Sequence, residues 1–464
     1  MYKFSDNQIS FTDFNMPNGV TLNPENRWVK KAEIIPWNEI ELRYAKLFTN
    51  KKGNVAKPLR MALGAVLIYN AYSSFSDDEV VNMIQENPYM QYFCGLTGYT
   101  DERPFDPSLM VYFRKRLTPE IIGEINEMII AANTPKVENK NNDDDDDSEN
   151  KGDLIVDSTC APQNIKFPQD INLLNEAREN LEKMIDKLHK QKGAVKPRTY
   201  RNIARQNYLN CIRQKNKKQK QIRKAIKKQL GYIRRDYNII CDYFDNGQTL
   251  SDKDFERFNT IRILYNQQLE MYNENSRSCD DRIVSLHQPW VRPIVRGKAA
   301  AKVEFGAKID ISVCDGFTRL EYTSFDAYNE SKNLIDIIQR YKNRTGHFPK
   351  RVLADQIYRN RENIKFCQEH NIEFLGKPLG RPRKDYVPDK KAIRKSETDR
   401  IEVERKFSQA KGSHGLAKIR MRLKETSLTA IALSVLSLNI AHIERILCCL
   451  FDWLFGVGEV GFVQ

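Results

Sequence analysis

The sequence predicts an α/β protein with a mixed sheet, split by a long helical insertion and preceded by an all-α segment. Two short apolar runs that end in aspartate, "DLIVD" (153–157) and "RVLAD" (351–355), read as buried strands. The stretch "KVEFGAKIDISVCDGFTRLEYTSF" contains two further runs divided by Asp315-Gly316, a hairpin turn signal. Helical periodicity covers 35–133 and returns from about 170 to 275. At 464 residues and 54.2 kDa the chain is too long for one simple core, which points to two or three domains.

The first domain, 1–133, is expected to be helical. Ser76 and Glu79 form a capping box, and Asp106-Pro107 opens "SLMVYFRKRL" with Met110, Phe113 and Leu117 on one face. Thr118-Pro119 then starts "EIIGEINEMII". Two helices joined so tightly, with Arg114, Lys115 and Arg116 at the joint, suit a helix-turn-helix-like DNA binder or an ordinary helical domain with solvated charges. Residues 134–152, "TPKVENKNNDDDDDSENKG", are poor in apolar groups and dense in charge, so a disordered acidic linker is expected there, its aspartates a solvated run and not a metal site.

A core begins at 153–170 and resumes at 301–464, with a helical, basic insertion at 171–300. Within the insertion, residues 211–235 carry eleven Lys/Arg and no acid. Such a helix can lie along phosphates, or pair with the more acidic "NEARENLEKMIDKL" as a helical hairpin; the two readings are compatible. After the hairpin come a helix ("NESKNLIDIIQRY"), the strand "RVLAD", a helix ("RENIKFCQEH") and a short strand ("IEFLG"). The apolar run "TAIALSVLSLNIAHIERILCCLFDWLF" is interrupted by Asn439, His442, Glu444, Arg445 and Asp452 and reads as a buried C-terminal helix, not a membrane span.

A net charge of +14 and a pI near 9.2 favour a polyanionic partner. The nine cysteines form no C-x-x-C pair and no zinc spacing, and the start, "MYKFSDNQISF", lacks the order of a signal peptide. A reducing cytoplasm is therefore expected.

Asp157 and Asp355 each follow three apolar residues at the expected carboxyl end of a strand, the edge where α/β sheets bind ligands; each could equally cap the turn that follows. On a helix, Arg400, Glu404 and Lys411 fall within about 40° of one another, with Phe407 on the same stripe, which turns that stripe toward the protein body. Arg400 and Glu404 could also be a plain i,i+4 surface pair, worth only ~0.3–0.5 kcal/mol. Three carboxylates from two strand ends and a helix suit two Mg²⁺ ions, which take oxygen ligands and support in-line attack on phosphorus without a protein nucleophile. G-x-S-x-G, G-x-x-x-x-G-K-[ST] and H-E-x-x-H motifs are absent, and of six scattered histidines only His414 falls near the candidate site, where it reads as a surface contact in a glycine-flanked turn.

These residues resemble the DDE transposases of bacterial insertion sequences, in the group whose RNase H-like core is split after its first strand. Arg400, Glu404 and Lys411 match the R-(3)-E-(6)-K part of that family's Y-(2)-R-(3)-E-(6)-K signature, while Glu397 stands at the tyrosine position. "RMALGAVLIYNAYSSFSDDEVVNMIQENPYMQYFCGL", "FDPSLMVYFRKRL", "DLIVDSTCAPQNIKFPQDI", "VLADQIYRNRENIKF" and "KFSQAKGSHGLAKIRMRLKETSLTAIALSVLSLNI" are similar to successive family segments. The resemblance implies that Asp157, Asp355 and Glu404 are the catalytic, metal-binding triad, for two Mg²⁺ with Mn²⁺ as substitute, and that Arg400 and Lys411 contact DNA. It further implies hydrolysis at transposon ends, strand transfer into target DNA, terminal inverted repeats as partner, and a homodimer in the synaptic complex. A catalytically inactive, DNA-binding derivative and an RNase H-like nuclease of other specificity are the competing readings.

Overall fold

Local capping starts many of the helices where the sequence places them. The computed structural model describes residues 1–455 except 5–8, 50–52, 73–74, 135–149, 193–194, 217, 296–302, 378 and 381–389. The acidic run thus lies outside the described residues. The first seven helices are α1 (Arg27–Ile34), α2 (Trp37–Ala45), α3 (Leu59–Ala71), α4 (Asp77–Glu86), α5 (Pro88–Phe93), α6 (Leu109–Arg116) and α7 (Pro119–Asn133). Ser76 accepts the Glu79 amide at the start of α4, as a cap requires. Asp106 instead caps a turn, accepting from the Ser108 amide at 2.9 Å, and α6 begins at Leu109, two residues later than Asp106-Pro107 suggests. Met110, Phe113 and Leu117 are buried. The basic trio at the α6–α7 joint is largely engaged inside the fold: buried Arg114 pairs with Asp77 and lies over the Tyr69 ring, and Arg116 lies over Phe48. Only Lys115 of the three is exposed.

The chain continues through β1 (Asp153–Pro162), α8 (Asp170–Lys192), α9 (Arg201–Ile212), α10 (Gln219–Asp245), α11 (Asp252–Glu274), β2 (Arg292–Val295), β3 (Val303–Cys314), β4 (Phe317–Ser324), α12 (Leu334–Thr345), β5 (Arg351–Ala354), α13 (Arg361–Glu369), α14 (Lys390–Ser413) and α15 (Lys424–Phe455). It forms two compact units, one of residues 1–162, 308–324 and 328–464, the other of 163–307 and 325–327.

In the first unit β1 is central. β5 pairs it in parallel, with Val156 opposite Ala354, and β3 flanks its other side, with β4 antiparallel to β3. Asp315 (φ 51°) and Gly316 (φ 78°) make the β3–β4 turn, the two left-handed residues that a tight hairpin needs. The sheet is mixed, and four helices lie between β1 and the strands that complete it. "IEFLG" is not a strand: Glu373 makes a single parallel bridge to Arg351, and the chain leaves the sheet edge there. Helices α1–α7 share one hydrophobic core with α15 and Phe317 of β4. The apolar window of α15, long enough by composition to cross a membrane, is 78% buried in this core. Its polar Asn439 donates to Asn126 of α7 and to the Thr318 carbonyl of β4, both at 2.7 Å, and accepts from the Thr318 amide at 2.8 Å.

The second unit is a helical body. Helix α8, which carries five acids and five bases, packs along the basic α10 through apolar side chains, so the expected pairing of these two segments is present. Leu181, Ile185, Leu230, Ile233 and Ile240 lie in its core.

Candidate active site

The site is built by laying α14 across one face of β1. On a strand, residues of equal parity share a face, and Asp153, Asp157 and Thr159 all meet partners on or beside α14. Arg351 of β5 pairs with Asp153 and also lies 3.1 Å from Asp399 of α14. The bonds from Asp153 and then Asp399 hold the Arg351 guanidinium above its ordinary pKa. Arg400 Nη1 lies 3.5 Å from Asp157, and Lys411 Nζ is 3.1 Å from Thr159 Oγ1. The opposite face of β1 presents Leu154 and Val156 to a core that includes Leu334, Ile337 and Tyr358.

Asp157 does not end its strand, because β1 runs five residues further, to Pro162. It does lie one residue past the last β1–β5 pair, Val156–Ala354, and Asp355 lies one residue past the same pair on β5. The two aspartates therefore occupy neighbouring positions where the parallel ladder closes. Asp355 accepts the Gln356 amide at 2.7 Å and caps the short turn Gln356–Tyr358, so its turn-capping role is real.

Glu404 joins them only indirectly. Its side chain is 56% exposed and accepts from Arg400 Nη2 at 3.2 Å, so one guanidinium links the carboxylates of Asp157 and Glu404. Among the described residues, no three carboxylate, histidine or cysteine groups are gathered closely enough to hold one metal ion. The donor chemistry of Asp157, Asp355 and Glu404 is that of a hard-cation site, all oxygen and all anionic. What fills the space between the first and third is the cation of Arg400.

A cleft of about 350 Å³ adjoins the site, lined among others by Asp355, Arg359, Lys377, Glu397 and Arg400. Sequence reasoning gave Glu397 no role and missed Arg359, Lys377 and the Arg351–Asp399 pair. Beneath the ladder, buried Asp310 of β3 accepts from Tyr328 and Asn333, both at 2.7 Å; burial pushes its carboxyl up to about 6 against those two bonds. Burial, then the charges of Asp310 and Asp157, push the phenol of the wholly buried Tyr358 up. His414 is half-buried, and burial with the charges of Lys31 and Arg445 lowers it to about 4, so it is neutral.

Residues 352–441 match the family described as Transposase DDE domain, and residues 20–116 match Transposase domain (DUF772). The chain is similar to "Uncharacterized protein ORF8 in nfe locus" of Rhizobium meliloti, 30% identical over 160 residues that make up 34% of this chain and 73% of that protein. No solved structure matches.

Proposed function

Because the chain belongs to the DDE transposases of bacterial insertion sequences, we propose that it binds transposon ends and carries out metal-dependent DNA cleavage and strand transfer. The observation that carries this reading is the adjacency of Asp157 and Asp355 at the end of the β1–β5 ladder, with the Arg400–Glu404–Lys411 face of α14 laid over β1. The strand order β4-β3-β1-β5 supports an RNase H-like core; in this reading 171–300 is its insertion and 1–133 the end-binding helical domain, which shares a hydrophobic core with α15.

Asp157, Asp355 and Glu404 would hold the Mg²⁺ ions. When bound, such ions activate the attacking oxygen, first of water and then of a 3′-hydroxyl, and stabilise the leaving oxygen. The chain's own part is to position the phosphate. Arg400, Arg359 and Lys377 give the cleft beside Asp355 a cationic lining suited to the DNA backbone, and Lys411 extends it along α14. A homodimer holding two terminal inverted repeats, acting in the bacterial cytoplasm, completes the proposal.

The test is excision of the element from a supercoiled donor plasmid by purified protein with Mg²⁺. Wild type should excise, and Asp157→Asn, Asp355→Ala and Glu404→Gln should not. Equal excision by wild type and Asp355→Ala would refute the triad. A second reading, a DNA-binding derivative without cleavage, is favoured by one feature, the Arg400 guanidinium shared between Asp157 and Glu404. Retained end binding with no cleavage in Mg²⁺ or Mn²⁺ would establish it.

A further inference from the structure

The helical unit carries a second polyanion-binding surface. On α10, successive residues turn by about 100°, which places Lys220, Lys224, Lys227, Lys228, Arg234 and Arg235 within an arc of about 120°. All six are exposed, and the opposite arc buries Leu230, Ile233 and Ile240 against α8. The stripe spans about 22 Å of helix, over which one strand of B-DNA presents about six phosphates.

Two features separate this stripe from an ordinary solvated face. Several other cations of the same unit are matched to acids, as Lys187 is to Asp254, Arg201 to Asp186 and Arg282 to Asp170, whereas the stripe's own partners are neutral, Asn207 for Lys228 and the Tyr200 ring for Arg235. Among the described residues, none of the six stripe cations has such an ion pair, and residues 211–235 contain no acid. Like charges four apart on a helix repel, so the arrangement weakens α10 unless an anion relieves it. Second, Gly231 lies in the middle of the stripe, and a Cβ there would meet nothing within 4 Å. Its absence of a side chain has no packing cause inside the protein, although glycine costs a helix stability. A flat, uncrowded point between cations is where another backbone can come close.

We infer that this face of α10 binds the phosphates of duplex DNA without regard to sequence. The inference rests on the reading that the protein acts on DNA, but it concerns a surface outside the triad and needs neither metal nor cleavage.

The experiment measures binding of the full-length protein to a fluorescent duplex of random sequence, about 30 bp long, in EDTA between about 50 and 300 mM KCl. Replacing all six cations with glutamine should flatten the log–log salt slope by about 0.9 per lost phosphate contact and weaken binding at least ~100-fold at low salt. An unchanged slope in a variant that melts like wild type overturns the inference. Should the sixfold variant fail to fold, Gly231→Glu decides, because glutamate is the better helix former: affinity should drop ~10-fold for Glu and far less for Gln. Equal affinity for both overturns it. Tighter binding, with a steeper slope, to single-stranded RNA of equal length also overturns the assignment to duplex DNA. Excision has no bearing on these outcomes, so full binding without cutting would sink the triad and leave this surface standing.

Discussion

Arg400 Nη1 lies 3.5 Å from the carboxylate of Asp157, across the junction between α14 and β1. The same guanidinium holds Glu404 at 3.2 Å. In this arrangement a cation already compensates two of the three carboxylates. Arg400 and Asp157 are about a quarter exposed and Glu404 more than half, so the pairs should contribute only about 0–1 kcal/mol to stability. Arg400→Ala is therefore expected to move the thermal midpoint by about 2 °C or less in calorimetry. On the proposed chemistry it should also lower plasmid excision at least ~10-fold, by removing a phosphate contact next to Asp355. A large drop in midpoint with unchanged excision would make Arg400 a structural strut.

Asn439 is fully buried in the long apolar helix α15, yet each of its amide atoms is satisfied. Substitution with leucine removes partners from the Thr318 amide and from the Asn126 side chain, leaving buried polar groups that cost ~1–3 kcal/mol each. Asn439→Leu should destabilise the first unit by about 3 kcal/mol in urea denaturation, despite raising the hydrophobicity of α15. A neutral or stabilising result would show that the α7–β4–α15 junction does not depend on this network.

That asparagine also marks the limit of the sequence. Read alone it is an interruption of an apolar run, because its partners are the Thr318 backbone 121 positions away and the Asn126 side chain 313 positions away. Features set by neighbours in the chain were legible: the Asp315-Gly316 turn, the basic run that α10 carries, and the stripe that brings Arg400, Glu404 and Lys411 to one face. Strand β1 was legible only as far as Asp157, since Ser158–Thr159 are polar and become strand through pairing in the sheet. For the same reason Asp157 and Asp355 could be matched by pattern, whereas the placement of Arg400 between Asp157 and Glu404 could not. It depends on where α14 crosses the sheet.

Gly316 has φ 78°, and a Cβ added there would collide with the His442 ring of α15. Gly316→Ala thus combines left-handed strain with a clash against a packed side chain, together about 2–3 kcal/mol. The pair Gly316→Ala and His442→Ala should recover part of that loss. Additive effects in the double variant would mean that turn strain alone, without the ring, sets the cost.

Asp236 of α10 is fully buried, with neither carboxylate oxygen hydrogen-bonded, facing Glu182 and Arg178 of α8 and Arg201 of α9. Burial, and then the charge of Glu182, raise it from 3.8 to about 7. The folded state therefore holds this proton more tightly than the unfolded chain. Below about pH 4 both states are protonated and the contribution is complete; between about 4 and 7 the unfolded chain releases its proton first, and stability falls. The loss should level off above about pH 8 at roughly 4 kcal/mol. Glu182 is also raised, by burial against the pull of Arg178, and adds a slope of the same sign, so wild type must be compared with Asp236→Asn. The variant should gain stability relative to wild type as pH rises from about 4.5 to 8, with the difference measured by urea denaturation at each pH. A difference that stays flat across that window would mean that Asp236 is ionised in the folded unit, stabilised by Arg178 and Arg201.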